Sequence, residues 1–178
     1  MSEGTHETLG RHFRTPAHPD VLMALGRAQY NFMALEETVV AIFYEAGFLG
    51  LAQSRVLMAG AKVKMLRALA DTYRASTNGQ QEAAIIDSAI VAFDDLRATV
   101  RNRLSHAHPF TAGVDGKGDY LPGLAHTFQD RSTQGIVGRT IAVKPDDLLD
   151  LATKIEDAIN PLEAARAAVT ALPVSKLT

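Results

Sequence analysis

No cysteine occurs in the 178 residues. That excludes disulfides, thiolate catalysis and cysteine-ligated zinc. No apolar run reaches the roughly 18 residues that a membrane span needs, and the first residues carry no apolar core of a secretory signal. Charge of one sign is also scarce. The formal net charge is −2, which gives no global attraction to nucleic acid or to an anionic membrane. Any contact with RNA must then come from a local cluster. The expectation is a soluble, cytoplasmic protein with no membrane partner.

What is present suits one globular domain. Hydrophobic residues make up 47% and charged residues 21%, an ordinary balance in a chain long enough for a sizeable core. Residues 1–18 are polar and aperiodic and predict a mobile arm. Its His6, His12 and His18 match no helical face and no common metal motif. Pro19-Asp20 then opens a first helix, with proline tolerated in the first turn. Val21, Leu25, Ala28, Phe32, Leu35, Val39, Ile42 and Ala46 come after it in steps of four and three, which is one face of a helix. Glu36 sits at the edge of that seam, where a carboxylate needs a cation to offset its desolvation. One reading is an ion pair at the rim of the core; the other is that Glu36 orients an arginine of the third helix.

Gly47 to Gly50 predict a turn. A second helix is expected from about residue 52 to 73, with Val56, Val63, Leu66 and Leu69 inward and a kink or close packing at Gly60. Its Lys62, Lys64 and Arg67 read as a solvated basic face that could extend a phosphate-binding surface. After Asn78-Gly79 a third helix carries Ile86, Ile90, Phe93, Leu96, Val100 and Leu104 on one face. Pro109 disfavours helical geometry at His108 and should stop the helix near His106 or Ala107. Residues 124–128 and 140–143 read as two short strands of a loose hairpin, packed on the helices because a lone hairpin is not stable. Pro145-Asp146-Asp147 opens a fourth helix, bent by Pro161 near residues 157–160 and ended by Pro173. The fold expected is an all-α bundle of four to five helices, residues 19–172, with the hairpin at about 124–143 before the last helix and a frayed tail at 173–178.

The end of the third helix gathers Arg97, Arg101, Asn102, Arg103, His106 and His108, with no acid between Leu96 and Pro109. Helix C-termini carry partial negative charge and attract cations, so the plain reading is a decorated helix end. The sharper reading is a site that grips and cleaves a phosphodiester. Asn102 and His106 share a face, whereas Arg101 and His106 would lie about 140° apart on a straight helix. Joint action of those two requires the helix to loosen or a second protomer to complete the site. A metal site on His106, His108 and His126 is a third reading, since residues one apart can share an ion only from extended backbone. A small-molecule pocket between helices is a fourth.

A long first helix with Leu35-Glu36, a second with Lys62, and a third ending Arg101-Asn102-Arg103-Leu104-Ser105-His106 resemble proteins of the HEPN superfamily. The similarity runs in element order from about Pro19 to Val169. The family signature is Arg, a polar residue that is often Asn, then His after four to six intervening residues. The resemblance implies an all-α bundle, commonly dimeric, with two motifs facing each other. Many members are metal-independent ribonucleases of toxin–antitoxin, phage-defence or CRISPR systems; others only bind or dimerise. Carried over, it implies that Arg101 holds the scissile phosphate, Asn102 positions it and His106 is the general acid/base. Glu36, Lys62, Arg97, Arg103 and His108 would support them. It implies an RNA substrate, a homodimer, an antitoxin or other protein partner, and no cofactor. A toxin subgroup carries Tyr two residues past the His as a target of adenylylation; His108 stands there in this chain, which argues against regulation of that kind.

Overall fold

The structure is a computed structural model that describes residues 19–105, 107–114, 119–129, 136–142 and 145–178, with side-chain surroundings for all of these except Arg103 and residues 105–145. Helix α1 spans Pro19–Glu45, α2 Leu51–Arg55, α3 Ala59–Arg74 and α4 Gln80–Leu96. A π-helical turn, Arg97–Arg101, leads into the short α5, Asn102–Ser105. Strands β1 (Ala107–Val114), β2 (Asp119–Gln129) and β3 (Ile136–Ala142) form an antiparallel sheet in the order β1-β2-β3. Helices α6 (Pro145–Asp157) and α7 (Ile159–Ala171) come next, then a 3₁₀ turn at Val174–Lys176. The long helices form an all-α bundle around one core. No helix among the described residues is long and apolar enough to cross a membrane.

Helix α1 runs almost where its periodicity predicts, and its C-terminus shows why. Gly47 adopts φ 69°, a left-handed conformation that costs glycine no side-chain clash. The Phe48 N–H then reaches Phe43 O at 2.9 Å and the Gly47 N–H reaches Tyr44 O at 3.0 Å. Phe43 and Phe48 rings pack 6.3 Å apart over the cap, so the orphan carbonyls are satisfied and the end is sealed by apolar contact. Inward, Ala28, Phe32, Leu35, Val39 and Ile42 are buried with Leu66, Leu69, Ile86, Phe93, Ile155 and Leu162. A second, smaller cluster joins Val21, Ala24 and Leu148, with Leu25, Leu104 and Leu151 against it. It brings α5 to the N-terminal end of α1 and the start of α6.

Three expectations need correction. The second helix is broken into α2 and α3, and Val56, expected inward, is 79% exposed at the break. Gly60 marks neither a kink nor close packing: it lies in the first turn of α3, and nothing stands within 4 Å of where its Cβ would be. The third helix does stop close to the expected place, at Ser105 after an unexpected π turn, and Pro109 lies inside β1. Strand structure covers three segments, not two. β2 and β3 pair from Gln129↔Ile136 to Leu124↔Ala142, with an irregularity at Leu124/Ala125. The expected bend before Pro161 is present as a division at Ala158, which leaves Pro161 in the first turn of α7, where a missing N–H costs little.

The tail is docked, not frayed. Ser76 Oγ and the Thr77 N–H donate to Thr178 O at 2.7 and 2.8 Å, Asn78 Nδ2 donates to Lys176 O at 3.1 Å, and the Val174 N–H donates to Ala46 O at 2.9 Å. A side chain at Gly79 would sit 2.6 Å from Tyr73 O and 3.1 Å from Leu177 Cδ2, so the turn between α3 and α4 admits only glycine there. Tyr73, fully buried, donates its hydroxyl to Leu172 O at 2.5 Å. Burial, aided by the Glu82 charge, pushes the Tyr73 hydroxyl up to about 12 from 10.0. The unfolded chain ionises this tyrosine near 10 and the folded chain resists. Its contribution to stability is therefore complete below pH 10 and lost as pH rises toward 12. Alkaline denaturation of Tyr73→Phe should accordingly be shallower than that of the wild type across this window.

Candidate anion-binding site

The π turn sets the geometry of the candidate site. The Asn102 N–H bonds to Arg97 O, five residues back. Such a turn holds one more residue than an α turn, so the residues after it are rotated by about 100° relative to an uninterrupted helix. Neither glycine nor proline lies between Arg97 and Arg101, the residues that usually signal a break. Val100 stays buried, and Arg101 and Asn102 emerge partly buried beside it. Arg101 Nη1 donates to Asn102 Oδ1 at 3.3 Å. The described helix closes at Ser105 and extended backbone begins at Ala107. His106 lies outside the described residues, as do the side chains of Arg103, His108 and His126.

Ion pairing sorts the arginines. Arg27 pairs with Glu156 at 2.7 Å, Arg55 with Glu37 at 3.1 Å, and Arg166 with Glu45 at 2.6 Å. Arg74 pairs with Asp71 and with Asp87. Hydrogen bonds from Arg166 and Thr170 hold the Glu45 carboxyl below its ordinary range, which ties the end of α1 to α7. Arg97, expected to support the site, donates Nη2 and Nε to Asp94 Oδ1 at 2.6 and 2.8 Å, and Arg67 donates to Asp94 Oδ2 at 2.9 Å. Asp94 stands three residues before Arg97 and so on the same face. Among the arginines whose side chains are described, Arg101 alone pairs with no described carboxylate.

An open depression of about 370 Å³ is lined by Arg67, Ile90, Val91, Asp94, Asp95, Arg97 and Ala98. Asp94 bonds to both guanidinium groups there and Asp95 brings the four charges to a balance, so the depression is no trough for an anion. The basic face expected on the second helix is likewise reduced. Lys64 and Arg67 are exposed, but the Lys62 side chain is 5% exposed, with its ammonium 3.5 Å from Glu36 Oε2. Glu36 meets a lysine of α3 rather than an arginine of the third helix, as a rim-of-core ion pair. A lysine is buried at tolerable cost only when a partner supplies the opposite charge, and that partner comes from another helix. Comparison with protein-family models, with curated proteins and with solved structures finds no match for this chain.

Proposed function

We propose that the chain is a HEPN-like protein that grips a phosphodiester at Arg101–Asn102 and cleaves RNA without a metal, acting as a dimer. The observation that supports this is the state of Arg101, left without a described carboxylate while the other described arginines are engaged. A guanidinium offers parallel donors to phosphate oxygens and stabilises charge that builds on them. Asn102 Oδ1 accepts from Arg101, which leaves its amide Nδ2 to donate to the same anion. In this reading His106 takes the proton of the ribose 2′-hydroxyl, since imidazole titrates near neutrality. The 2′-oxygen attacks phosphorus, the bond from phosphorus to the 5′-oxygen breaks, the His106 imidazolium returns its proton to that oxygen, and a 2′,3′-cyclic phosphate results. The strands between α5 and α6 are then an insertion into the HEPN-like bundle, and an antitoxin-like protein is a candidate partner.

The test is incubation of pure protein with structured and unstructured RNA in EDTA. Cleavage leaving 2′,3′-cyclic ends, abolished by His106→Ala, is expected. No cleavage by the wild type, or equal cleavage by the variant, overturns the proposal. A non-catalytic module of the same fold is the second reading. The net charge of −2 and the capture of Arg67 and Arg97 by Asp94 favour it, and it requires that RNA be neither cut nor bound.

A further inference from the structure

We infer that the outward face of α1 is the surface through which two copies of this chain associate. The inference goes beyond the nucleolytic reading, names the surface, and does not rest on that reading. Helix α1 carries two apolar faces. One holds the buried Ala28, Phe32, Leu35, Val39 and Ile42. On the other side Leu22, Met23, Tyr30, Met33 and Tyr44 are 55–73% exposed. At 3.6 residues per turn these five fall within one arc of about 100°, opposite the buried face. Among the described residues, neighbouring helices attach at the margins of this arc and at one polar contact inside it, Glu37 with Arg55 of α2. On one margin Arg27 and Asn31 hold Glu156 of α6 at 2.7 and 2.8 Å; on the other Glu36 meets Lys62 of α3. The five apolar side chains of the arc are each more than half exposed.

Extent, charge and shape select a second copy as the occupant. Glu37 lies inside the arc and pairs with Arg55, which brings the end of α2 alongside and adds the exposed Val56 and Met58. Together these side chains present on the order of 700 Å² of apolar surface, if a large side chain offers about 150–250 Å² in full. That is near the roughly 800 Å² that each partner contributes to a stable complex. The Glu37–Arg55 pair neutralises itself within one chain, so an identical face meets no net like charge, as a self-complementary twofold contact demands. A membrane surface would favour unpaired lysine and arginine along the rim; here Arg27, Lys62 and Arg55 are each held by a glutamate of the same chain. Gly26 also lies in the arc with nothing within 4 Å of its Cβ position, so a facing helix can approach the backbone closely.

Analytical ultracentrifugation of the full chain over roughly 1–100 μM, a range that saturates most interfaces of this size, tests the inference. The wild type should sediment as a dimer. The double variant Tyr30→Asp, Met33→Asp should weaken association at least about 100-fold with unchanged helical circular dichroism. Val91→Asp, at a 70% exposed position on α4, should leave the dimer intact. A monomeric wild type, whether or not it binds vesicles, or a double variant that stays dimeric, overturns the inference.

Discussion

Arg101→Ala should lower the rate of RNA cleavage by at least about 100-fold, the loss typical when one preorganised donor to a transition-state anion is removed. Arg101→Lys should recover only part of it, because an ammonium keeps the charge but not the parallel donors. Thermal melting should move little in both, since Arg101 is only partly buried and its sole hydrogen bond with a described side chain is the 3.3 Å contact to Asn102. Arg97→Ala provides the contrast. It releases Asp94 from one of two arginines, so its effect should appear in stability and not in cleavage. An ion pair whose side chains are 27% exposed contributes about 1 kcal/mol or less. Equal losses of activity in the two variants would mean that the helix end acts as a diffuse positive patch.

Phe93→Ala should be the most destabilising simple substitution in the bundle, costing about 3–5 kcal/mol. The side chain is fully buried and its ring stacks on Phe32 at 5.8 Å and 17°, so truncation opens a cavity where α1 meets α4. For a chain of this size each kcal/mol lowers Tm by roughly 2–4 °C, and the expected fall is about 10 °C or more. Val91→Ala, two residues earlier on the same helix and 70% exposed, should stay within about 0.5 kcal/mol. Calorimetry on the two variants checks both. Comparable melting points would show that α4 is not seated on α1 through Phe93.

The fold was legible wherever local pattern and tertiary packing agree. Helix α1 carries its own start, seam and glycine stop, and the periodicity of Leu148, Leu151 and Ile155 likewise marks α6. The break between α2 and α3 was not legible, because Val56-Leu57-Met58 contains no helix breaker and continues an apolar rhythm. The docked tail was hidden for another reason. Its hydrogen bonds reach Ser76, Thr77 and Asn78, about a hundred residues away in sequence, and periodicity is silent on such partners.

At the candidate site the adjacency of Arg101 and Asn102 was plain, and so was the Asp94-to-Arg97 spacing that consumes one of the expected cations. The π turn had no signal, since glycine and proline are both absent from it. Lys62 was misplaced because charge alone argues for solvent; only the meeting with Glu36 across two helices makes its burial tolerable.

Equilibrium binding of a 2′-deoxy-substituted RNA strand, which cannot be cut by 2′-hydroxyl attack, isolates the grip on phosphate from the chemistry. Fluorescence anisotropy in EDTA at fixed salt should show that Arg101→Ala binds at least about tenfold more weakly than the wild type, with a shallower dependence on salt as one phosphate contact disappears. Equal affinity and equal salt dependence in the two proteins would contradict the account.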